Sequence, residues 1–506
     1  AGAYAECWAL RVVITGRRSE AQAALELVKA AEALCEAESK KLSGNPAFDV
    51  FVAELLLMRC GLQVILGSRF RALLNLRQCW YQYRRLEHVV AALPSSANGT
   101  GGHVPEDTSG MMQAEDIQGR ICFGLGVFYL VTSMLPVGLC PFVRLAGFRI
   151  DRDLGKAYLQ SCTDGNLGSR ATLAGILLAM YHLDLEPDIP AAGKVLVAAL
   201  QRKPENALLH WAGSVLAWRN TCIFEAVDQV QRALWCCGAE LSSQAIYLRY
   251  ELGMFYIMQT EWPTAHSHLR YVHDAVQSER IFFPYKLLVT TQLAAVCFNL
   301  GYDEEGEALC RECVAAQDWG GGLRVEGDFA KVVTVFLKRR VLTRRLLAFE
   351  VMYLLRQFPR VPAPMLENLH AHITNVGRPY ELQFAQKQQE ASQNASCSLP
   401  TSSSADTAAF VEYVSCQVMQ CIVLFYLGDV NKAMTFVPQL AVSCSALPAW
   451  SSYLSVHGLY WCGRIFALSG NEAEAVQCLQ QARAYKKYPF NISSKVSKVL
   501  ETLQNA

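Results

Sequence analysis

Residues 252–269 read LGMFYIMQTEWPTAHSHL, and the alternation of small and bulky positions within them decides the fold. Leu252-Gly253 is followed by Tyr256, then, after a polar turn, by Ala265 and Leu269. The same offsets return at Leu293-Ala294, Cys297, Gly301, Gly306 and Cys310, and again at Gly463, Phe466, Gly470, Ala475, Leu479 and Ala482. Weaker copies start at Trp8-Ala9 (with Val12, Gly16, Ala21, Leu25, Val28), at Gly213 (Leu216, Ala226, Ala233, one residue longer) and at Cys421 (Leu424, Gly428, Ala433, Val437). One match is chance, but six at nearly fixed offsets predict a repeated helix–turn–helix unit.

The spacing has a mechanical reason. In each strong copy the first helix carries a small residue (Gly253, Ala294, Gly463) three positions before a larger one, and a matching Ala or Gly follows twelve positions on (Ala265, Gly306, Ala475). Where a side chain is missing the partner helix comes close, because protein interiors pack like solids. Each unit buries its face only against its neighbours. The predicted fold is all-α: a tetratricopeptide-type solenoid, a right-handed superhelix of antiparallel helix pairs. If Gly253 faces its own partner helix, the opposite stripe is Tyr247, Tyr250, Met254, Ile257 and Met258, with Val418, Ile422, Phe425 and Tyr426 as its later counterpart. In a superhelix of this kind the stripe lines a concave groove. Tyr250 and Met254 stand where chaperone adaptors place Lys and Asn, so the groove is read as apolar. It suits a hydrophobic segment of a partner or of this chain, and the stripe is equally read as buried by the chain's own later helices.

Composition agrees with a scaffold. Of 506 residues, 52% are hydrophobic and 18% charged, against roughly 25% charged in an ordinary soluble domain. The formal net charge of +1 argues against nucleic acid, which needs a basic stripe. Lys338-Arg339-Arg340 with Arg344-Arg345 is a local exception, read as a solvated helix surface, with acidic lipid head groups as the alternative. The 19 cysteines show no paired spacing. Cys297, Cys421, Cys462 and Cys478 fall at apolar helix positions, where a free thiol behaves as a small hydrophobe. Cys310-x-x-Cys313 has a metal-pair spacing without a second pair, and His266-x-His268 and His370-x-His372 place their rings on different helix faces. No metal or other cofactor is expected. Phosphate-loop, Gly-x-Ser-x-Gly and His-Glu-x-x-His motifs are absent, so the chain is read as no enzyme and no small-molecule substrate is expected.

Residues 121–143, ICFGLGVFYLVTSMLPVGLCPFV, carry no charge and are long enough to span a bilayer. Gly124, Gly126, Pro136, Gly138 and Pro141 divide them into two short pieces, which suits a buried hairpin of two helices better than a spanning one. No signal peptide is evident, and the chain begins at Ala1 without Met, so upstream targeting residues are left open.

Gly124 to Phe128, Ser133-Met134-Leu135-Pro136, Gly147-Phe148 and Asp151-Arg152-Asp153-Leu154-Gly155 with Leu159 resemble the signature block of the family joining tetratricopeptide repeat protein 39 with the fungal inclusion-body clearance protein. Phe349-Glu350-Val351-Met352-Tyr353 ahead of Phe358 resembles a second block of that family, of which the chain reads as a distant member. The resemblance implies helical repeats without known catalysis. It also implies association with the mitochondrial outer membrane or lipid droplets, and roles in inclusion clearance or as an adaptor in lipid homeostasis.

The organisation expected is an N-terminal helical region at 1–93, a loop at 94–115, the apolar block at 116–168, central repeats at 169–316, a long-helix region at 317–389, a linker at 390–407 and C-terminal repeats at 408–506. The Ser-, Gly-, Asn- and Pro-rich composition of 94–115 and 390–407 reads as mobile chain. The function expected is a non-enzymatic cytoplasmic interaction scaffold, binding protein partners in its concave groove. The alternative is a membrane-attached protein of the mitochondrial outer membrane that uses residues 121–143 for insertion, and peripheral membrane contact is a further expected contact.

Overall fold

Small residues at fixed offsets let successive helices lie close, and that spacing recurs along the computed structural model, which describes residues 5, 18–41, 46–92, 114–134, 150–237, 243–278, 283, 285–316, 324–337, 344–393 and 404–504. Among the described residues there are helices and no strand. The chain divides into two compact units, Ala1–Arg219 and Asn220–Ala506, a boundary that falls inside the central run of repeats.

In the first unit follow α1 (Arg18–Lys41), α2 (Pro46–Ile65), α3 (Arg69–Ala92), α4 (Ala114–Ser133), α5 (Arg152–Asp164), α6 (Ala171–Asp184), α7 (Ile189–Arg202) and α8 (Ala207–Arg219). Consecutive helices pack in pairs, α1 on α2, α2 on α3, α4 on α5 and α6 on α7. The apolar block is one continuous helix as far as Ser133. Gly124 and Gly126 do not divide it; they are the points at which other elements touch it. A Cβ at Gly126 would stand 2.7 Å from Leu159 Cγ, and one at Gly124 would collide with the Tyr83 ring. Gly155 answers from α5, where a Cβ would stand 3.0 Å from Tyr129 Cβ, and Asp151 caps that helix by accepting from Leu154 N at 3.0 Å. The signature block is therefore a helix crossing made close by missing side chains. Pro136, Gly138 and Pro141 lie outside the described residues. Beneath the crossing the buried Glu54 accepts from Arg120 at 2.8 Å and Arg170 at 3.0 Å, a carboxylate held between two guanidiniums.

The second unit comprises α9 (Ile223–Cys236), α10 (Ser243–Met258), α11 (Trp262–Gln277), α12 (Lys286–Leu300), α13 (Asp303–Ala315), α14 (Arg324–Phe336), α15 (Leu347–Leu354), α16 (Ala363–Gln393), α17 (Ser404–Leu427), α18 (Val430–Met434), α19 (Val437–Ser445), α20 (Ser452–Leu468), α21 (Glu472–Ala484) and α22 (Ser493–Gln504). The closest neighbours are again sequential: α10 with α11, α12 with α13, α16 with α17, α20 with α21. One backbone device recurs at helix ends. Thr221, Thr260, Gly301, Gly428 and Gly470 all have positive φ (59°, 59°, 82°, 75° and 80°). In four of these turns the next amide bonds five residues back: Glu261 to Tyr256 O, Tyr302 to Cys297 O, Asp429 to Leu424 O and Asn471 to Phe466 O. This is the left-handed helix stop for which glycine is best suited, and it recurs at the repeat's own period.

Three expectations need correction or restriction. Arg344 is buried and paired with Glu307, over the Phe298 ring, so it is no part of a solvated face; a buried guanidinium needs its carboxylate. Residues 338–343 lie outside the described residues, as do 94–113, 394–403 and the first helix of the repeat begun at Trp8. At the edges of the two predicted loops the chain is already helical, since α4 begins at Ala114, α16 runs to Gln393 and α17 starts at Ser404. The one described helix long and apolar enough to cross a membrane is Ala409–Leu427 within α17, and it is mostly buried.

Candidate functional site

The repeat-packing residues occupy the contacts between paired helices. Leu252, Ala265, Leu269 and Ala475 are buried, and a Cβ at Gly253 would stand 2.7 Å from Leu269 Cγ. At Gly463 it would stand 2.8 Å from Leu479 Cγ. Tyr256 stacks on His268 at 5.6 Å, Phe466 is buried, and Gly470 supplies the left-handed turn.

The stripe on the other side divides. Met254, Ile257 and Met258 are buried, and Phe283 lies against Tyr247 (4.8 Å) and Tyr250 (5.3 Å), so the chain's own residues cover much of the first stripe. On α17, Val418 and Ile422 are fully buried, whereas Phe425 and Tyr426 remain partly exposed. Tyr426 lines a cavity of about 710 Å³ bounded by α14, α15, α17, α20, α22 and the turns beside them.

Sequence reasoning missed most of that cavity. Its floor is set by α15, from the second signature block. Glu350 and Tyr353, three apart on one face, reach Tyr453, His457 and Trp461, which are spaced four apart on α20. Tyr453 Oη donates to Glu350 Oε2 at 2.5 Å, and Ser415 donates to the other oxygen at 2.6 Å. Trp461 Nε1 donates to Tyr353 Oη at 2.9 Å, and that oxygen is hydrogen-bonded to His457 Nδ1 at 2.6 Å. Burial and the nearby Lys495 hold the His457 pKa down at about 3, so the ring is neutral. Phe358, Tyr426 and Trp461 form aromatic walls, while Arg356 and Lys495 bring cations to the rim. The Tyr453/His457/Trp461 spacing was visible in the sequence; a partner helix a hundred residues earlier was not.

His266, Cys297 and Glu305 place ligand atoms within 4.8 Å of one another. Arg270 enters the same spot, pairing with Glu305 and hydrogen-bonding Cys297. A guanidinium there repels a divalent ion, and the cluster reads as an ion-pair contact between α11 and α13. Cys310 and Cys313 are buried, burial pushing Cys310 to about 12, and the described cysteines are free thiols.

Paired helices with a shared small-residue contact and a repeated left-handed stop define a helical-repeat protein of the tetratricopeptide type. The family model described as Iml2/Tetratricopeptide repeat protein 39 matches residues 3–399, and the chain belongs to that family. That match indicates no catalytic family. Tetratricopeptide repeat protein ttc-39B of Caenorhabditis elegans is 20% identical over 264 residues, which cover 50% of this chain and 44% of that protein, so the chain spans less than half the length of this relative. Among solved structures, the crystal structure of yeast Tom70 aligns with a TM-score of 0.31 at 11% identity, over 99% of this chain and 96% of that one. A circular tandem repeat protein with novel repeat topology aligns with a TM-score of 0.15 at 13% identity, over 100% and 97%.

Proposed function

We propose that the chain is a non-enzymatic interaction scaffold that holds a segment of a protein partner at the Tyr426 end of the second stripe. A helical-repeat family of this type supports the scaffold class. The observation that carries the finer reading is the contrast along α17: Val418 and Ile422 are sealed by the chain itself, while Phe425 and Tyr426 stay partly exposed, Tyr426 on the wall of a cavity. Half-open aromatic rings beside a concavity are what a partner's apolar anchor requires. The Tyr247/Tyr250 part of the groove is proposed as a lesser contact, since Phe283 already lies on it.

We propose further that it acts at organelle surfaces, in lipid homeostasis or in inclusion clearance, from the cytoplasm and at the outer face of mitochondria; membership of the family supports this reading. Attachment through residues 121–143 is the weaker alternative. Ile121, Leu125, Phe128 and Leu130 are committed to the core of the first unit, so we propose peripheral contact rather than insertion.

The test is quantitative affinity purification with wild type, Tyr426→Lys and the surface control Trp235→Lys. The reading expects partners to be lost from the first variant alone while both melt like wild type. Unchanged partners for a folded Tyr426→Lys protein would rule it out.

A further inference from the structure

We propose that the cavity at the Tyr426 end binds a carboxylate carried on an aromatic or aliphatic body. This deepens the scaffold reading and rests on it only in taking the Tyr426 end as open to a ligand.

Charge comes first. Arg356 and Lys495 line the cavity, and Arg464 lies near enough to act on Lys495. No carboxylate pairs with any of the three among the described residues. The one acid on the wall, Asp328, is already engaged, by Lys331 at 3.2 Å and by the Phe490 amide at 3.4 Å. Burial and these neighbouring cations push the Lys495 pKa down, as expected of an ammonium short of negative charge. A ligand anion would supply it.

The second observation is the polar chain behind the cations. Indole N–H can only donate, so Tyr353 Oη accepts from Trp461, and the same oxygen hydrogen-bonds His457 Nδ1 at 2.6 Å. His457 is 3% exposed, lines the cavity and is hydrogen-bonded by the Phe490 backbone, so none of these groups neutralises the two cations. Two cations without a counter-charge suit a carboxylate, whose oxygens accept and never donate.

The remaining wall is aromatic. Tyr426 stacks on Phe358 at 6.4 Å and meets Trp461 at 5.5 Å, leaving ring surface for an apolar body next to the charge. A volume of about 710 Å³ falls in the range of small-ligand sites, roughly 300–1,000 Å³. Arg356 sits in the left-handed stop that ends α15, at φ 58° with the Gln357 amide bonding back to Met352 O at 2.9 Å.

The experiment is fluorescence polarisation with a labelled tetraglycyl-phenylalanine peptide, its C-terminal amide, and N-acetylphenylalanine as competitor. The free acid is expected to bind at least about 10-fold tighter than the amide. Lys495→Gln and Arg356→Asn should each weaken the acid by about 10-fold without weakening the amide. Neither variant threatens folding, since one removes an unpaired half-buried charge and the other relaxes a strained backbone. Displacement by N-acetylphenylalanine at matching concentration supports the proposal with a free acid as the source, and peptide binding that resists it supports a chain end. Equal binding of acid and amide overturns the carboxylate and leaves the scaffold reading standing. Failure of folded wild type to bind either probe overturns the proposal, while partner loss in Tyr426→Lys would still be scored separately.

Discussion

The hydroxyl of Tyr353 on α15 is hydrogen-bonded to Nδ1 of His457 on α20, at 2.6 Å and across 104 residues of sequence. The bond holds a ring that burial keeps uncharged, and it joins the second signature block to the C-terminal repeats.

That buried neutral ring has a pH consequence. The folded pKa is about 3 against an ordinary 6.5, so as pH falls below about 6.5 the unfolded chain takes up a proton that the folded chain refuses. Stability is thus present above 6.5 and is lost as pH falls toward 3, at ~1.4 kcal/mol per pH unit. His457→Phe should lie below wild type at pH 7 and show a shallower decline by that slope between pH 6 and 4, read by denaturant melts. Parallel curves would contradict the buried neutral imidazole.

Gly253→Leu should overpack the contact with Leu269 and destabilise the second unit by ~1–3 kcal/mol or more. Because repeats couple to their neighbours, hydrogen exchange should rise first in α10, α11 and α12. A uniform rise over all amides would argue against repeat architecture.

The left-handed stops give a pair of opposite effects. Thr260 is β-branched at φ 59°, so Thr260→Gly should stabilise by ~1 kcal/mol, whereas Gly470→Val at φ 80° should destabilise by a similar amount or more. Thermal melts of the two proteins decide it; a shift in the same direction for both would be inconsistent with a shared turn.

Leu130 and Val131 adjoin each other on α4, at 8% and 47% exposure. Leu130→Arg should unfold the first unit by burying an unpaired charge, and Val131→Arg should change the melt by less than ~0.5 kcal/mol. Wild-type protein that stayed in a carbonate-resistant membrane pellet would instead favour insertion of this segment.

How far the sequence reached follows from what each feature depends on. The repeat was legible because Gly253, Gly463 and Gly301 serve contacts and turns within one helix pair, at fixed separation in the chain. Gly124 and Gly126 were misread as breaks because a glycine needed for close approach looks the same in sequence as one that ends a helix. Only the position of Tyr83 and Leu159 tells them apart. The stripe was legible as apolar, but whether Met254 or Tyr426 is covered depends on Phe283 and α20, which periodicity does not place. Arg344 looked like one of a solvated basic run, yet its partner Glu307 stands 37 residues earlier.

The measurement closest to the central claim is site-specific photo-crosslinking, with a benzophenone amino acid at Tyr426 and, as control, at Val442, which is 59% exposed on α19 of the same unit. The scaffold account predicts that position 426 yields a small set of partners, each joined through one short segment, and that position 442 yields none of them. The same adducts from both positions, or none from a folded protein at 426, would contradict it.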